Sequence, residues 1–102
     1  MTNKVYGLLG IASKAGKVIS GTDIILEKLS RKKVKLVIIA KDASEKTIKN
    51  MKYYCDKEDV EIIIYGNISE NSKAIGKNNR ATIGVIDKNL AEAIKKLIHG
   101  GE

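Results

Sequence analysis

Gly10-Ile11-Ala12-Ser13-Lys14-Ala15-Gly16-Lys17 holds the residue types of a phosphate cradle, two glycines ahead of a lysine. A P-loop needs four residues between its glycines and a Ser or Thr after the lysine to hold magnesium. Here five residues intervene, Val18 follows Lys17, and the segment starts inside a helical pattern. Triphosphate binding is therefore not expected. Nucleophilic catalysis needs an activated Ser or Cys with a base in reach. The single histidine, His99, stands at the end of the chain, and no Gly-x-Ser-x-Gly elbow occurs. Cys55 is the only cysteine, so an internal disulfide is excluded and a Cys/His zinc site lacks its ligands. It reads as a small, half-buried hydrophobe. Asp56, Glu58, Asp59 and Glu61 read as a solvated turn between a helix and a strand. His99, beside Gly100, suits the negative end of a helix dipole. No catalytic residue, metal site or cofactor is expected.

The basic residues are what remains, and their distribution is uneven. The net charge is +7. Residues 1–51 hold eleven Lys/Arg against four Asp/Glu, whereas residues 52–102 hold eight of each. A cationic excess confined to one half of a chain suits a polyanionic partner. Arg31-Lys32-Lys33-Val34-Lys35 reads equally as a solvated connection whose charges complement a helix C-terminus. Lys14, Lys17 and Gly21 form a second set. A helix opened by Gly21 offers free N–H groups and a positive dipole end to a phosphate or base edge. Gly76-Lys77-Asn78-Asn79-Arg80-Ala81-Thr82 is a third. If it lies at the same sheet end as Gly21, it lines a pocket for an unstacked nucleotide. Otherwise it is an ordinary turn with Asn in the left-handed region.

The elements that must hold these residues follow from periodicity. Val5, Leu8, Leu9 and Ala12 mark a helix over 2–14, stopped by Gly16, with a short strand at 17–20. A helix from Gly21 to about Arg31 carries Ile25, Leu26 and Leu29 on its apolar side. Leu36 to Ala40 is a continuous apolar run, which fits a strand covered on both faces. Asp42-Ala43-Ser44-Glu45 supplies N-cap chemistry for a helix carrying Ile48, Met51 and Cys55. A strand at 60–65 ends at Gly66-Asn67, and Ser69 caps a short helix ending at Gly76. The last strand, 82–86, leads into a helix that Asp87 or Asn89 starts, with Leu90, Ala93, Ile94, Leu97 and Ile98 on one face. Alternating strands and helices predict an α/β chain, here a three-layer α/β/α sandwich. The length suits a single domain, 1–102, with no solenoid repeat or linker-like segment. Apolar runs fall far short of the ~20 residues that span a bilayer, and no signal peptide is visible. A soluble, cytoplasmic protein is expected.

Ser20-Gly21-Thr22-Asp23, then the segment from Arg31 to Ser44, resembles the kink-turn-binding ribosomal protein family. Gly10, Gly16-Lys17-Val18, Gly21 and Ala74-Ile75-Gly76-Lys77 are similar to its small bacterial, YlxQ-like members. The similarity runs over essentially the whole chain. It implies a mixed four-stranded sheet within the sandwich. It also implies that the helix starting near Gly21 enters the widened groove of a kink-turn and reads tandem sheared G·A pairs, while an apolar loop before the last strand covers the bulge. By that resemblance Gly21, Thr22, Asp23 and Ile24 form the reading edge, and Arg80, Ala81 and Thr82 the loop. Lys14, Lys17 and Lys28 hold the RNA backbone by proximity. Asp23, Ile24 and Glu27 depart from the better-known members, which place Asn, Glu and Lys there. An ionised Asp accepts only, so it meets base amino groups rather than guanine N7 and O6. The partner implied is structured RNA, a kink-turn in ribosomal RNA or a riboswitch, with the ribosome as the wider setting. The alternative is a protein-interaction or assembly module of the same fold with nonspecific RNA affinity.

Overall fold

A computed structural model of the chain describes residues 3–100 and buries every side chain of Leu36, Val37, Ile38 and Ile39 completely. The chain order is α1 (Lys4–Lys14), β1 (Val18–Ser20), α2 (Thr22–Ser30), β2 (Leu36–Ile39), α3 (Glu45–Lys57), β3 (Ile62–Ile64), α4 (Ile68–Ala74), β4 (Thr82–Val85) and α5 (Lys88–His99). The strands form one mixed sheet in the order β1-β4-β2-β3. β4 runs antiparallel to both β1 and β2, and β2 runs parallel to β3.

Successive side chains of a strand point to opposite faces, so four consecutive apolar residues demand two covers. Leu36 and Ile38 pack with Val5, Leu9 and Ile94 beneath α1 and α5. Val37 and Ile39 pack with Ile25, Leu29, Met51 and Cys55 beneath α2 and α3. The expected three-layer sandwich and its mixed four-stranded sheet are what the chain forms.

Element boundaries shift modestly. The strands are one to three residues shorter than periodicity predicts, and Thr2, placed in the first helix by its pattern, lies outside the described residues. Ser44 caps α3, accepting from the Thr47 N–H at 3.1 Å. Asp42 serves another helix, accepting from Ile68 N–H at 2.8 Å at the start of α4. Asn67 is the N-cap of α4, and Ser69 lies inside that helix. Asn67 can act because its backbone is still extended, as a capping side chain requires. Of the two candidates for α5, Asp87 is the cap, 2.9 Å from Leu90 N. His99 does stand in the last turn of α5, with Nε2 3.0 Å from Glu61 Oε2. That hydrogen bond first, and Lys95 nearby, hold the Glu61 carboxyl below its usual range.

Cys55 departs from the expected half-buried position because α3 turns it squarely onto the sheet, where it is fully covered. Burial pushes its thiol up to about 11. A polar network ties α1 and α4 to the end of β3. The Tyr6 hydroxyl bonds to Asn71 Oδ1, Asn71 Nδ2 donates to Tyr65 O at 2.8 Å, and Asn3 Nδ2 donates to the Tyr65 hydroxyl at 3.1 Å. Gly66 adjoins this network at φ 67°, and a Cβ there would strike the Asn71 side-chain oxygen and the Tyr6 hydroxyl.

Two outcomes follow. Native protein at pH 8 should resist iodoacetamide at Cys55, with alkylation seen by mass spectrometry only after denaturation, since the thiolate is scarce and covered. Gly66→Ala should lower the urea midpoint by an amount equivalent to roughly 2 kcal/mol or more, from a strained φ combined with overpacking.

Candidate nucleic-acid interface

Helix starts leave backbone N–H groups without intrahelical partners, and a Ser, Thr, Asp or Asn cap normally answers one of them. Asn3, Ser44, Asn67 and Asp87 do this for α1, α3, α4 and α5. Among the described residues α2 is the exception. Its N-cap is Gly21, with φ 101° and ψ 137° and no side-chain hydrogen bond. Only glycine adopts that backbone without strain. The first turn of α2 therefore presents open donors and a positive dipole end to solvent.

The sheet decides what stands beside this opening. Gly21 N donates to Thr82 O at 3.1 Å, Ala40 N to Ala81 O at 3.0 Å, and Lys41 N to Gly66 O at 2.9 Å. The ends of β1, β2 and β3 and the start of β4 thus share one edge of the slab. The loop 75–81 and the Gly21 helix start meet there. Thr22 Oγ1 lies 3.5 Å from Thr82 Oγ1, at the outer limit of a hydrogen bond.

Arg80 is the cation this geometry brings to the glycine. Its backbone N–H donates to Ser72 Oγ at 2.7 Å, and Ser72 Oγ donates back to its carbonyl at 3.3 Å. Ser72 is buried, so both bonds are shielded from water. One terminal guanidinium nitrogen lies 3.8 Å from where a Gly21 Cβ would stand. Arg80 Nε is buried with no hydrogen-bond partner among the described residues. Leaving a buried donor unmade is costly, and an incoming acceptor would relieve it. Asn79, just before, takes φ 54°, in the left-handed region that the ordinary-turn alternative gives to an Asn of this loop.

The first turn of α2 adds exposed Asp23 and Ile24, the latter 52% exposed, an apolar side chain at the rim. Glu27 lies one turn further along and is 3.7 Å from Arg31, which offsets its charge.

Several residues assigned to the interface fall elsewhere. Thr82 is the first residue of β4, and its side chain is wholly buried. Ala81 is half-buried against the α2/α3 core. Both faces of the sheet are covered here, so neither side chain reaches out, and Arg80 alone of the three presents its side chain at the opening. The exposed part of the loop is Gly76 to Asn79, which is polar where the resemblance implies an apolar cover. Lys17 stands at the other end of β1, its carbonyl accepting from Ile86 N at 2.9 Å. Four residues of extended chain, about 13 Å, part it from Gly21. Lys14 closes α1 just before it, and Lys28 lies in the last turn of α2. The Arg31–Lys35 run is also at that far end, with Lys35 N donating to Val85 O at 2.8 Å. Strand direction, which no local pattern reveals, separates these lysines from the opening. Ser72 went unnoticed because a serine inside a short helix carries no signal until its partner 8 residues later is known.

The family model described as ribosomal protein L7Ae/L30e/S12e/Gadd45 family matches residues 3–97. RNA-binding protein YlxQ of Enterococcus faecium is 34% identical over 97 residues, covering 95% of this chain and 93% of that one. RNA-binding protein YlxQ of Bacillus subtilis (strain 168) is 30% identical over 93 residues, covering 91% and 93%. A solved Bacillus halodurans protein of unknown function superposes with a TM-score of 0.93 at 30% identity, over 96% of this chain and 99% of its own. The Giardia lamblia 15.5kD RNA binding protein shares the fold, with a TM-score of 0.80 at 16% identity over 98% and 89%.

Ser72→Ala should remove both bonds to the Arg80 backbone and lower thermal stability by roughly 1–3 kcal/mol, the cost of unsatisfied buried groups. Faster amide exchange at Arg80, with exchange in β2 unchanged, would show that the loss is local.

Proposed function

Because this chain belongs to the ribosomal protein L7Ae/L30e/S12e/Gadd45 family, we propose that it binds structured RNA by docking and carries out no chemistry of its own. The RNA element we propose is a kink-turn, in ribosomal RNA or a riboswitch, held in its bent form by the protein. The observation that carries this reading is the uncapped start of α2 beside the guanidinium of Arg80, whose backbone Ser72 holds. Two relatives named as RNA-binding proteins, matching along nearly the whole chain, support the class of partner.

Each group has a physical task. The N–H groups at Thr22 and Asp23 donate to phosphate or base-edge acceptors in the widened groove. The Asp23 carboxylate accepts from amino groups of the sheared purines. Ile24 lies against sugar or base faces, and Arg80 donates to a phosphate or to a purine edge. Lys28, and more remotely Lys14 and Lys17, add long-range attraction to the RNA backbone. A rigid slab with no mobile catalytic group can favour a bent RNA only through contacts that the straight form lacks. Action in the cytoplasm, in association with the ribosome, suits such a protein, and no helix among the described residues is long and apolar enough to cross a membrane.

Titration of a labelled kink-turn RNA, and of a version with its G·A pairs replaced, tests the reading. A good bidentate base contact is worth roughly 1–3 kcal/mol of discrimination, so the intact motif should bind about tenfold more tightly or better. Gly21→Val should remove most of that preference. Equal affinity for both RNAs, with a steep salt dependence, would reduce the interaction to phosphate attraction and refute the kink-turn assignment.

A further inference from the structure

Phe and Trp are absent and Tyr occurs four times in this chain. Tyr6 and Tyr65 pack edge to face beneath α1, within the network at the end of β3. Tyr53 and Tyr54 are spent differently. Tyr53 is 63% exposed and Tyr54 36% exposed on α3, their ring centroids 5.0 Å apart at 85°. Neither the α2/α3 core nor the opening at Gly21 uses them. Lys46, Lys49 and Tyr53 recur at spacings of three and four, so they lie along one outward stripe of α3, with Lys52 beside it. All three lysines are exposed, and none makes an ion pair among the described residues.

Between α3 and the edge strand β3 lies an open depression of about 570 Å³, walled by Lys49, Lys52, Tyr53 and Asp56 over Val60 and Ile62. Its size is that of a small-ligand site, roughly 300–1,000 Å³. An apolar floor, an exposed ring and two free ammonium groups suit a planar base joined to phosphates. Asp56 is the acid on the rim.

We infer that the outer face of α3 is a second RNA contact, one that takes an unpaired, single-stranded segment by stacking a base on Tyr53 while Lys49 and Lys52 hold its phosphates. Stacking on aromatic rings along a cationic groove is how single strands are held without regard to sequence. The edge-to-face partner Tyr54 restrains the Tyr53 ring before the base arrives, which lowers the entropy lost on binding. The location also fits. α3 is capped by Ser44, four residues after Ala40, whose N donates to Ala81 O at the same slab edge as Gly21. Tyr53 lies nine residues from its cap, about 13 Å down the helix. A strand leaving RNA docked at the opening can reach it. The inference takes its class of partner from the RNA-binding reading, but it uses none of the same residues.

Fluorescence anisotropy with a labelled oligocytidine of about ten nucleotides, on the full chain, tests it. Tyr53→Ala should weaken binding about tenfold, the scale of one lost base stack. Tyr53→Phe should bind like the unaltered protein, because the ring stacks and the hydroxyl does not. Lys49→Gln with Lys52→Gln should weaken binding and flatten its salt dependence. Gly21→Val should leave oligocytidine binding unchanged, whatever it does to a kink-turn. Absence of binding by the unaltered protein, or equal affinity of Tyr53→Ala, overturns the inference. So does loss of binding in Gly21→Val, which would place the strand at the opening.

Discussion

β2 has no side chain that water can reach, and the architecture follows from that constraint. A strand buried on both faces needs a helical layer on each side and a strand at each edge. The chain meets this with α1, α4 and α5 on one face, α2 and α3 on the other, and β3 and β4 as neighbours. β4 runs antiparallel to β2, and β1 antiparallel to β4. Gly21 and Thr82 are thereby set side by side. The interface inherits its geometry from a hydrophobic requirement with no connection to RNA.

Around that fixed edge the chain spends polar groups in two opposite ways. Asn71, Ser72 and Thr82 are buried side chains with partners, and they hold loops whose backbones must not drift. Buried polar groups that are fully satisfied confer rigidity. At the opening the same chemistry is left unmade. α2 has no capping side chain, and Arg80 Nε has no acceptor. Satisfied groups beneath thus support a rigid opening at which the first-turn N–H groups of α2 have no capping side chain. Binding then gains the hydrogen bonds without a further cost of ordering the loop.

The positive charge divides in a way that composition alone conceals. Arg31 and Lys32 pair with Glu27 and Glu58 at the far end of the slab. Lys95 is taken up by Glu61 and Glu92. These are exposed pairs of small energetic value, but they lower the local field that RNA would experience. Among the described residues, Lys46, Lys49 and Lys52 of α3 make no ion pair. Of the cations in the first half, Lys46, Lys49 and Lys52 therefore stand exposed on the flank of α3, whereas the cation beside Gly21 is Arg80, from the charge-balanced second half.

Periodicity alone determined most of the fold. The helix and strand order, the double cover on Leu36 to Ile39, the glycine at the start of α2 and the left-handed Asn79 depend on neighbours a few residues away. Each was legible for that reason. The resemblance over Ser20 to Ser44 added the mixed sheet and the choice of α2 as the reading element. Tertiary structure decided what local pattern cannot hold. The direction of β1 carries Lys17 away from Gly21, and the cover on both faces of β4 buries Thr82. A contact runs from Ser72 in α4 to Arg80 in the loop beyond it, and Asp42 accepts from the first N–H of a helix that begins 26 residues later. Side chains so far apart in sequence meet only after the sheet has formed, so their pairing is a property of packing rather than of the chain's local code.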